Sequence, residues 1–588
     1  MICQEKILIQ LKSLRPFDRH FEPGTGTLAV IGSGEIGGKA HGLAMMQEII
    51  DRDIASQFAP EIDVNIPTLA VVATDCFDQF LEQNDLFEIA YSDMRDGQLA
   101  LVFQQAELPA LLVGDLRALG EQVHSPLAIR SSSMLEDAMF QPFAGVYSTK
   151  MIPNNQPEPD TRFRKLVEAI KFIYASTFFT GAKQYMGATR HTSADEKMAV
   201  VIQEVVGVPA SDRYYPHVSG VARSYNYYPT GHAKPDQGIV ELALGLGKSI
   251  VDDGVAWAYS PAFPKSNPPY NSIRDILQHS QLKFWAVNMG PPSEYDPINE
   301  TEYMARYGLE DAEYDGTLKH IASTYRARDD VMVMGTNERG PRLIDFAPIL
   351  KLDHIRLNDL LETLVEVCEG VLGSKVEVEF AITLNGDDDD EQLARFGFLQ
   401  VRPMVVSDAE VDVSLEDLEA DNVIVASDSV LGNGVVNSIS DVVFVKPGAF
   451  SAEVTTRIPP QLEKINGELI AEERPYLLIG FGRWGTSDPS AGIPVEFSQI
   501  SGAKVIVEAT LPNMDFQLSQ GSHFFQNVTS FKICYFSIRH WTDHSVDWDW
   551  LNSQSPVVDT EFVRHCRLDA PLEIRVDGKH GYGVIRHE

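Results

Sequence analysis

Cysteine is sparse and scattered: Cys3, Cys76, Cys368, Cys534 and Cys566, with no pair at CxxC spacing. An odd, dispersed set excludes a disulfide framework and predicts reduced, buried thiols in a reducing compartment. Positive charge is short as well. Lys and Arg number 48 against 84 Asp and Glu, a formal net charge of −36. Such a field repels phosphate backbones and anionic lipids, so neither nucleic acid nor a membrane surface is an expected partner. It does not forbid a nucleotide, because Mg²⁺ and a few local cations override a global field. No apolar run approaches the ~20 residues that span a bilayer. Glu5 and Lys6 beside only Ile7, Leu8 and Ile9 predict no signal peptide. A cytoplasmic location is the expectation. Glycine and proline, 42 and 33 residues, are too few for a collagen-like or low-complexity chain. With 44% hydrophobic and 22% charged residues the chain is that of a folded protein. At roughly 150 residues per domain, its length suggests about four domains.

The chain reads as α+β followed by a β-rich end. Residues 1–27 form an N-terminal segment. Leu28 to Ile31 is a short apolar strand, Gly32 to Gly38 a glycine-rich turn, and Ala40 to Ile50 has helical periodicity. Pro67 to Val72 reads as a strand and Asp75 to Glu82 as a helix, as does 161–187. Met198 to Ile202 is a buried strand by its β-branched run. Residues 263–300, rich in Pro, Ser and Asn, read as an irregular insertion. Over 356–372 the apolar residues Leu357, Leu360, Leu361, Leu364, Cys368, Val371 and Leu372 fall on one helical face. Residues 407–420 are an acidic linker, and 421–588 a β-rich C-terminal domain.

Three segments carry chemistry. Gly32-Ser-Gly34-Glu-Ile-Gly37 matches GxGxxG between a strand and a helix. Gly38-Lys39 falls one residue short of a phosphate loop. What survives is simpler: glycines let backbone N–H groups approach an anion at a helix N-terminus, and Lys39 adds a charge there. Second, Arg130-Ser131-Ser132-Ser133 is followed by Glu136-Asp137 and Phe143-Ala-Gly145. An arginine at a strand end offers a planar fork to phosphate oxygens, and hydroxyls beside an acid pair suit phosphate and metal contacts.

The third segment is a hairpin. Val376 to Ile382 alternates, so Glu377 and Glu379 share one strand face, and Gln400 and Arg402 share a face of a second strand. Symmetric pairing sets Glu379 opposite Gln400 and Glu377 opposite Arg402. That oxygen-rich cluster with one cation suits Mg²⁺ bridging phosphates. The run Asp387 to Asp390 between the strands reads as a solvated loop.

Taken in order with Gly37 to Leu43, Val200 to Gln203, Ser219-Gly220-Val221, Gly245-Leu-Gly247 and Leu399 to Pro403, these segments resemble the nucleotide-binding domain of the pyruvate phosphate dikinase and phosphoenolpyruvate synthase family over about 28–406. The resemblance implies an ATP-grasp fold, with a first lobe at 28–230, a second at 231–406, and Mg-ATP between them. It implies that Lys39 and Arg130 contact the phosphates, with Gly38 beside them, and that Arg402 meets the terminal phosphate. Thr149 would lie near the phosphates, Gln203 near the adenine edge, and Gly245 and Gly247 in the nucleotide-binding turn. Glu379 and Gln400 would hold Mg²⁺. The sequence departs from the family at Lys248, where Glu is usual, and at Ser224-Tyr225-Asn226, where Thr-Arg-Asn is usual.

The family's carrier histidine in its Gly-Gly-x-x-Ser-His context is not found, nor is a stretch after 420 long enough for the ~250 residues of a (β/α)₈ barrel. Gly480 to Asp488, a candidate swivel-like segment, contains no histidine. His523, in Gly521-Ser-His-Phe-Phe525, reads as a packed histidine rather than a phosphoryl carrier. The expected activity is therefore phosphoryl transfer from Mg-ATP to an acceptor outside this chain, with a partner protein among the candidates. The alternative is a non-catalytic ATP-sensing module that acts through its C-terminal domain.

Overall fold

The computed structural model describes residues 14–21, 28–134, 136, 146–189, 196–229, 232–251, 255–266, 273–278, 280–292, 294–385, 392–404, 406, 411–486, 488, 491–512, 524, 528, 531–540 and 545–587. Asp137, Phe143 to Gly145, Asp387 to Asp390 and His523 lie outside the described residues.

Helices and sheets are mixed, which is compatible with α+β, and the three largest of the six sheets among the described residues organise the chain. The N-terminal sheet has six strands in the order Arg15–Pro16, Ala29–Ile31, Thr68–Val72, Met198–Glu204, Leu127–Ser133, Thr149–Ile152. Met198–Glu204 sits between two neighbours with its first six residues buried, which is why it reads as an unbroken apolar run. The central sheet runs Trp257–Tyr259, Ile239–Ala243, Val218–Arg223, Val376–Leu384, Ala394–Pro403, Ile62–Asn65. Helix Leu357–Leu372 packs beneath it through Leu357, Leu360, Leu361, Leu364 and Cys368. It stops at Gly373, whose φ of 68° is the left-handed cap that glycine accepts most readily.

Three arrangements are not visible in the local sequence. Strand Ile62–Asn65 pairs with Ala394–Pro403, and Val218–Arg223 also belongs to the central sheet, so that sheet draws strands from both sides of residue 230. A strand pairs by register rather than by sequence proximity, and no local signal reveals its partner. The stretch 263–300 is not irregular throughout: it holds strand Lys283–Asn288, paired on both edges, because Phe284, Ala286 and Val287 are buried. The end of the acidic linker is docked. Val413 and Leu418 pack on Ala426 and Val584, and Asp417 pairs with Arg575 at 3.0 Å and Arg586 at 2.7 Å.

Among the described residues the C-terminal sheet has nine strands. Four of them, Asn433–Val445, Tyr476–Phe481, Ala503–Ala509 and Cys534–Ile538, are mutually parallel. Helix Pro459–Ala471 crosses between the first two and buries Leu462, Ile465 and Leu469. These side chains share one hydrophobic cluster with Phe77 and Met186 of the N-terminal sheet's helices and with Phe178 of the turn between helices Pro159–Ser176 and Thr180–Thr189. Cys76, Cys368, Cys534 and Cys566 are buried thiols without disulfides, and burial pushes Cys76 and Cys368 up to about 12. Among the described residues no single helix is long and apolar enough to cross a membrane.

Candidate functional site

The central sheet carries a row of alternating charge. Register aligns Arg223 with Glu377 and Glu377 with Arg402 across three strands. Arg223 donates to both Glu241 and Glu377, and Arg402 donates to Glu377 through Nε at 2.7 Å. All four side chains are buried. Burial by itself would raise the Glu377 carboxyl, but the Arg402 and Arg223 guanidiniums pull it down to about 2. The carboxylate therefore stays ionised inside the protein.

One row along, Glu379 faces Gln400 as the symmetric pairing predicts. The pairing then breaks: Phe380 meets Phe398, leaving Leu399 as an extra residue in a β-bulge. The bulge reverses parity. Phe396 and Phe398 face the core with Phe380, whereas beyond Leu399 it is Val401 that faces the core. Strict alternation would have put Phe398, Gln400 and Arg402 on one face; the bulge separates them.

Arg130 reaches into this row from the N-terminal sheet. One terminal nitrogen donates to Gln400 at 2.6 Å and Glu379 at 3.1 Å. The other donates to the bulge carbonyl of Leu399 at 3.2 Å and to Gln203 at 3.3 Å. Gln203 is itself held, donating to Thr68 at 2.9 Å and to the Leu399 carbonyl at 3.3 Å. Its amide thus links Arg130 to Thr68 and to the bulge at the edge of the cavity. Arg402 approaches Glu379 to 3.5 Å. Burial would raise the Glu379 carboxyl, yet Arg130 and then Arg402 hold it below the ordinary range.

The glycine-rich turn already has its anion. Asp75 accepts from the Ser33 N–H at 2.9 Å and the Gly34 N–H at 3.0 Å, and Thr74 accepts from Glu35 at 3.0 Å. Burial works against the charge on Asp75, but these donors keep its carboxyl below the usual range. The turn's amides therefore hold the first turn of helix Thr74–Gln83, and at Ser33 and Gly34 they face Asp75 rather than a ligand anion. Lys39 is only 5% exposed. Its ammonium donates to Glu136 at 2.8 Å and to the Ser131 carbonyl at 2.9 Å. Ser132 ties the same elements together, donating to the Ile36 carbonyl at 2.8 Å and accepting from Ala40 at 3.0 Å.

Gly37 has φ 74°, and an added Cβ would lie 1.8 Å from the Ser132 carbonyl oxygen. Gly37→Ala is expected to lower the melting temperature sharply, because backbone must move. Gly247→Ala, where the nearest neighbour is a Ser219 carbon at 3.9 Å, is expected to leave it near wild type. Thermal denaturation of the two variants side by side checks this contrast.

A cavity of about 410 Å³ opens between the two sheets. Arg130, Thr149, Gln203, Gly247 and Glu379, all singled out from sequence, line it. Thr149 sits beside Arg130 in the strand ladder. Gly38, Lys39, Gly245, Gln400 and Arg402 are not in its wall; the last two act on it through Arg130 and Glu379. Charged lining residues that are not among the sequence-derived site residues are Glu204, Lys248, which stands where the sequence departs from the family, and Glu300, at the end of the stretch 263–300. The buried Lys150–Glu302 pair, 2.8 Å, anchors the segment bearing Glu300.

The volume falls within the ~300–1,000 Å³ of small-molecule sites. Part of the wall is apolar, with Met151, Leu246 and Met304 in one cluster, and part is charged, with Arg130, Glu204, Lys248, Glu300 and Glu379. That division fits a flat base and a polyphosphate. Glu379 and Gln400 offer neighbouring carboxylate and amide oxygens, the hard donors that Mg²⁺ takes.

A family model described as pyruvate phosphate dikinase, AMP/ATP-binding domain, matches residues 33–422. No curated protein matches the chain. The matched span covers about two-thirds of the 588 residues and includes every residue of the two rows, the arginine bridge and the cavity wall. The chain belongs to the pyruvate phosphate dikinase AMP/ATP-binding domain family.

Proposed function

We propose that the two sheets act as the lobes of an ATP-grasp fold, that Mg-ATP binds in the cavity between them, and that the chain transfers phosphate to an acceptor it does not itself contain. The observation that carries this reading is Arg130, a guanidinium from one sheet gripping Glu379, Gln400 and the bulge carbonyl of the other in the charged part of the cavity wall. Arg130 and Arg402 would meet the phosphates, Glu379 and Gln400 would hold Mg²⁺, and Thr149 and Gly247 would line the path. Lys39, Gly38 and Gly245 would act at one remove, by fixing the turns that carry Arg130 and Gly247. Phosphoryl transfer asks for little beyond positioning and charge neutralisation, which is what this set of side chains offers.

A second reading, an ATP sensor without turnover, is favoured by one observation. Lys39, Arg130 and Arg402 each already face a carboxylate of the chain itself. Incubating the purified chain with Mg-ATP and resolving AMP from ADP separates the readings. AMP with phosphate indicates dikinase-type chemistry, and ADP alone a simple kinase. Saturable binding without product supports the sensor. No binding by calorimetry rejects both.

A further inference from the structure

We infer that Glu196 is a proton-binding residue behind the cavity wall, and that the proton it holds or releases sets how well the cavity takes a polyphosphate; the second half rests on ATP occupying the cavity as proposed above. Two carboxyl groups lie at the end of the Ser-rich strand Leu127–Ser133, Glu136 5% exposed and Glu196 3% exposed. Among the described residues a cation pairs with Glu136 alone. Lys39 of helix Gly37–Ile49 donates to it, as do the Ser131 hydroxyl at 3.1 Å and the Ser133 N–H at 3.2 Å. Glu196 accepts from the Met134 N–H at 3.1 Å through Oε1, while its Oε2 is shut away from solvent with no hydrogen-bond partner among the described residues. Lys197, next in the chain, donates to Asp78 of helix Thr74–Gln83. Tyr147, which precedes strand Thr149–Ile152, faces Glu196 and Glu136 and also lines the cavity.

A carboxylate enclosed without a cation is costly, and such a group sheds its charge by taking a proton. Burial pushes the Glu196 carboxyl up to about 7; the Ser133 and Tyr147 hydroxyls beside it hold it down only in part, and the Glu136 charge adds to the rise. With the proton in place, Oε2 becomes a donor that the Ser133 or Tyr147 oxygen can accept. Without it, a second negative charge stands behind Tyr147, and Lys39 is already committed to Glu136. The charge also appears against the Met134 amide, at the end of the strand that carries Arg130. Both effects disfavour a polyphosphate in the cavity.

Melting curves and Mg-ATP calorimetry of the full chain, wild type beside Glu196→Gln, test the two halves separately. Gln copies the protonated side chain at every pH. The folded carboxyl titrates near 7, against about 4.3 in an unfolded chain, so the fold prefers the protonated form. That contribution is complete below about 4.3 and is lost as pH rises through 7. The two proteins are therefore expected to melt alike near pH 5, and Glu196→Gln to melt higher than wild type above pH 7. A difference in melting temperature that does not change with pH overturns the proton assignment. ATP affinity of wild type is expected to fall about tenfold relative to the variant between pH 6 and pH 8.5, the effect of one pK unit of coupling between proton and nucleotide. Titration of the nucleotide's own phosphates is common to both proteins and cancels. Identical pH profiles of ATP affinity overturn the link to the cavity. If wild type does not bind ATP, the proposed function and that link fall together, and the melting curves still decide the proton assignment. Glu196→Met, also neutral at every pH, replaces the Gln variant if that protein is not recovered folded.

Discussion

Arg130→Lys is expected to lose most of the protein's affinity for ATP although the net charge does not change. The Arg130 guanidinium divides its work between two nitrogens, one on Glu379 and Gln400, the other on Gln203 and the Leu399 carbonyl. An ammonium has three donors but a single nitrogen, and cannot reach both pairs at once. One pair of acceptors would be left without its donor, at a cost of about 1–3 kcal/mol. If ATP binding depends on the two sheets being held in this relation, a loss near 2 kcal/mol appears as about 30-fold in Kd. Titration with Mg-ATP and a melting curve on the same sample read both effects. Wild-type affinity in this variant would show that the fork is not used.

Glu377→Gln is expected to produce the largest loss of stability. The substitution keeps the volume but removes the negative charge between Arg223 and Arg402. Breaking a buried ion pair by removing one partner typically costs about 3–5 kcal/mol, since the remaining charges stay buried. The effect carries a pH signature. The Glu377 carboxyl titrates near 2 in the folded protein, against about 4.3 in an unfolded chain. The fold therefore prefers its ionised form. That contribution is complete above the unfolded value and is lost as pH falls from about 4.3 toward 2. The Asp441 carboxyl, held to about 2, titrates in the same window, so the informative quantity is the difference between wild type and variant. Wild type should lose its advantage over Glu377→Gln across that interval. Equal melting temperatures at neutral pH would show that the row contributes nothing net.

Much of this site was readable in the sequence because strand periodicity is strict. Glu377 and Glu379, two apart, had to share a face, and their pairing with Arg402 and Gln400 followed from a symmetric hairpin. The buried run at Met198 and the apolar stripe from Leu357 were legible for the same reason: period alone places them. What stayed hidden depended on partners distant in sequence. Nothing near Gly32 announces that Asp75 supplies the anion for its turn. Nothing near Lys39 shows that Glu136 lies 2.8 Å from its ammonium. Strand Ile62–Asn65 joins the central sheet through Ala394–Pro403, more than three hundred residues away, and no local pattern encodes that. Asp417 reads as linker charge in sequence, because its partners Arg575 and Arg586 lie far along the chain.

The bulge at Leu399 also bears on how such a chain can diverge. Point substitutions at Gln400 or Arg402 can be sampled one at a time, each with a graded effect. Loss of Leu399 itself is a different kind of event. With Phe396 and Phe398 anchored in the core, removal of the extra residue sets Gln400 directly after Phe398, and plain alternation then leaves Gln400, Val401 and Arg402 on the faces they occupy now. What disappears is the carbonyl that Arg130 and Gln203 both donate to. A gap at this point in a relative would mark a hairpin that keeps its charged row and loses part of its tie to the N-terminal sheet, whereas one further inserted residue would turn the row over.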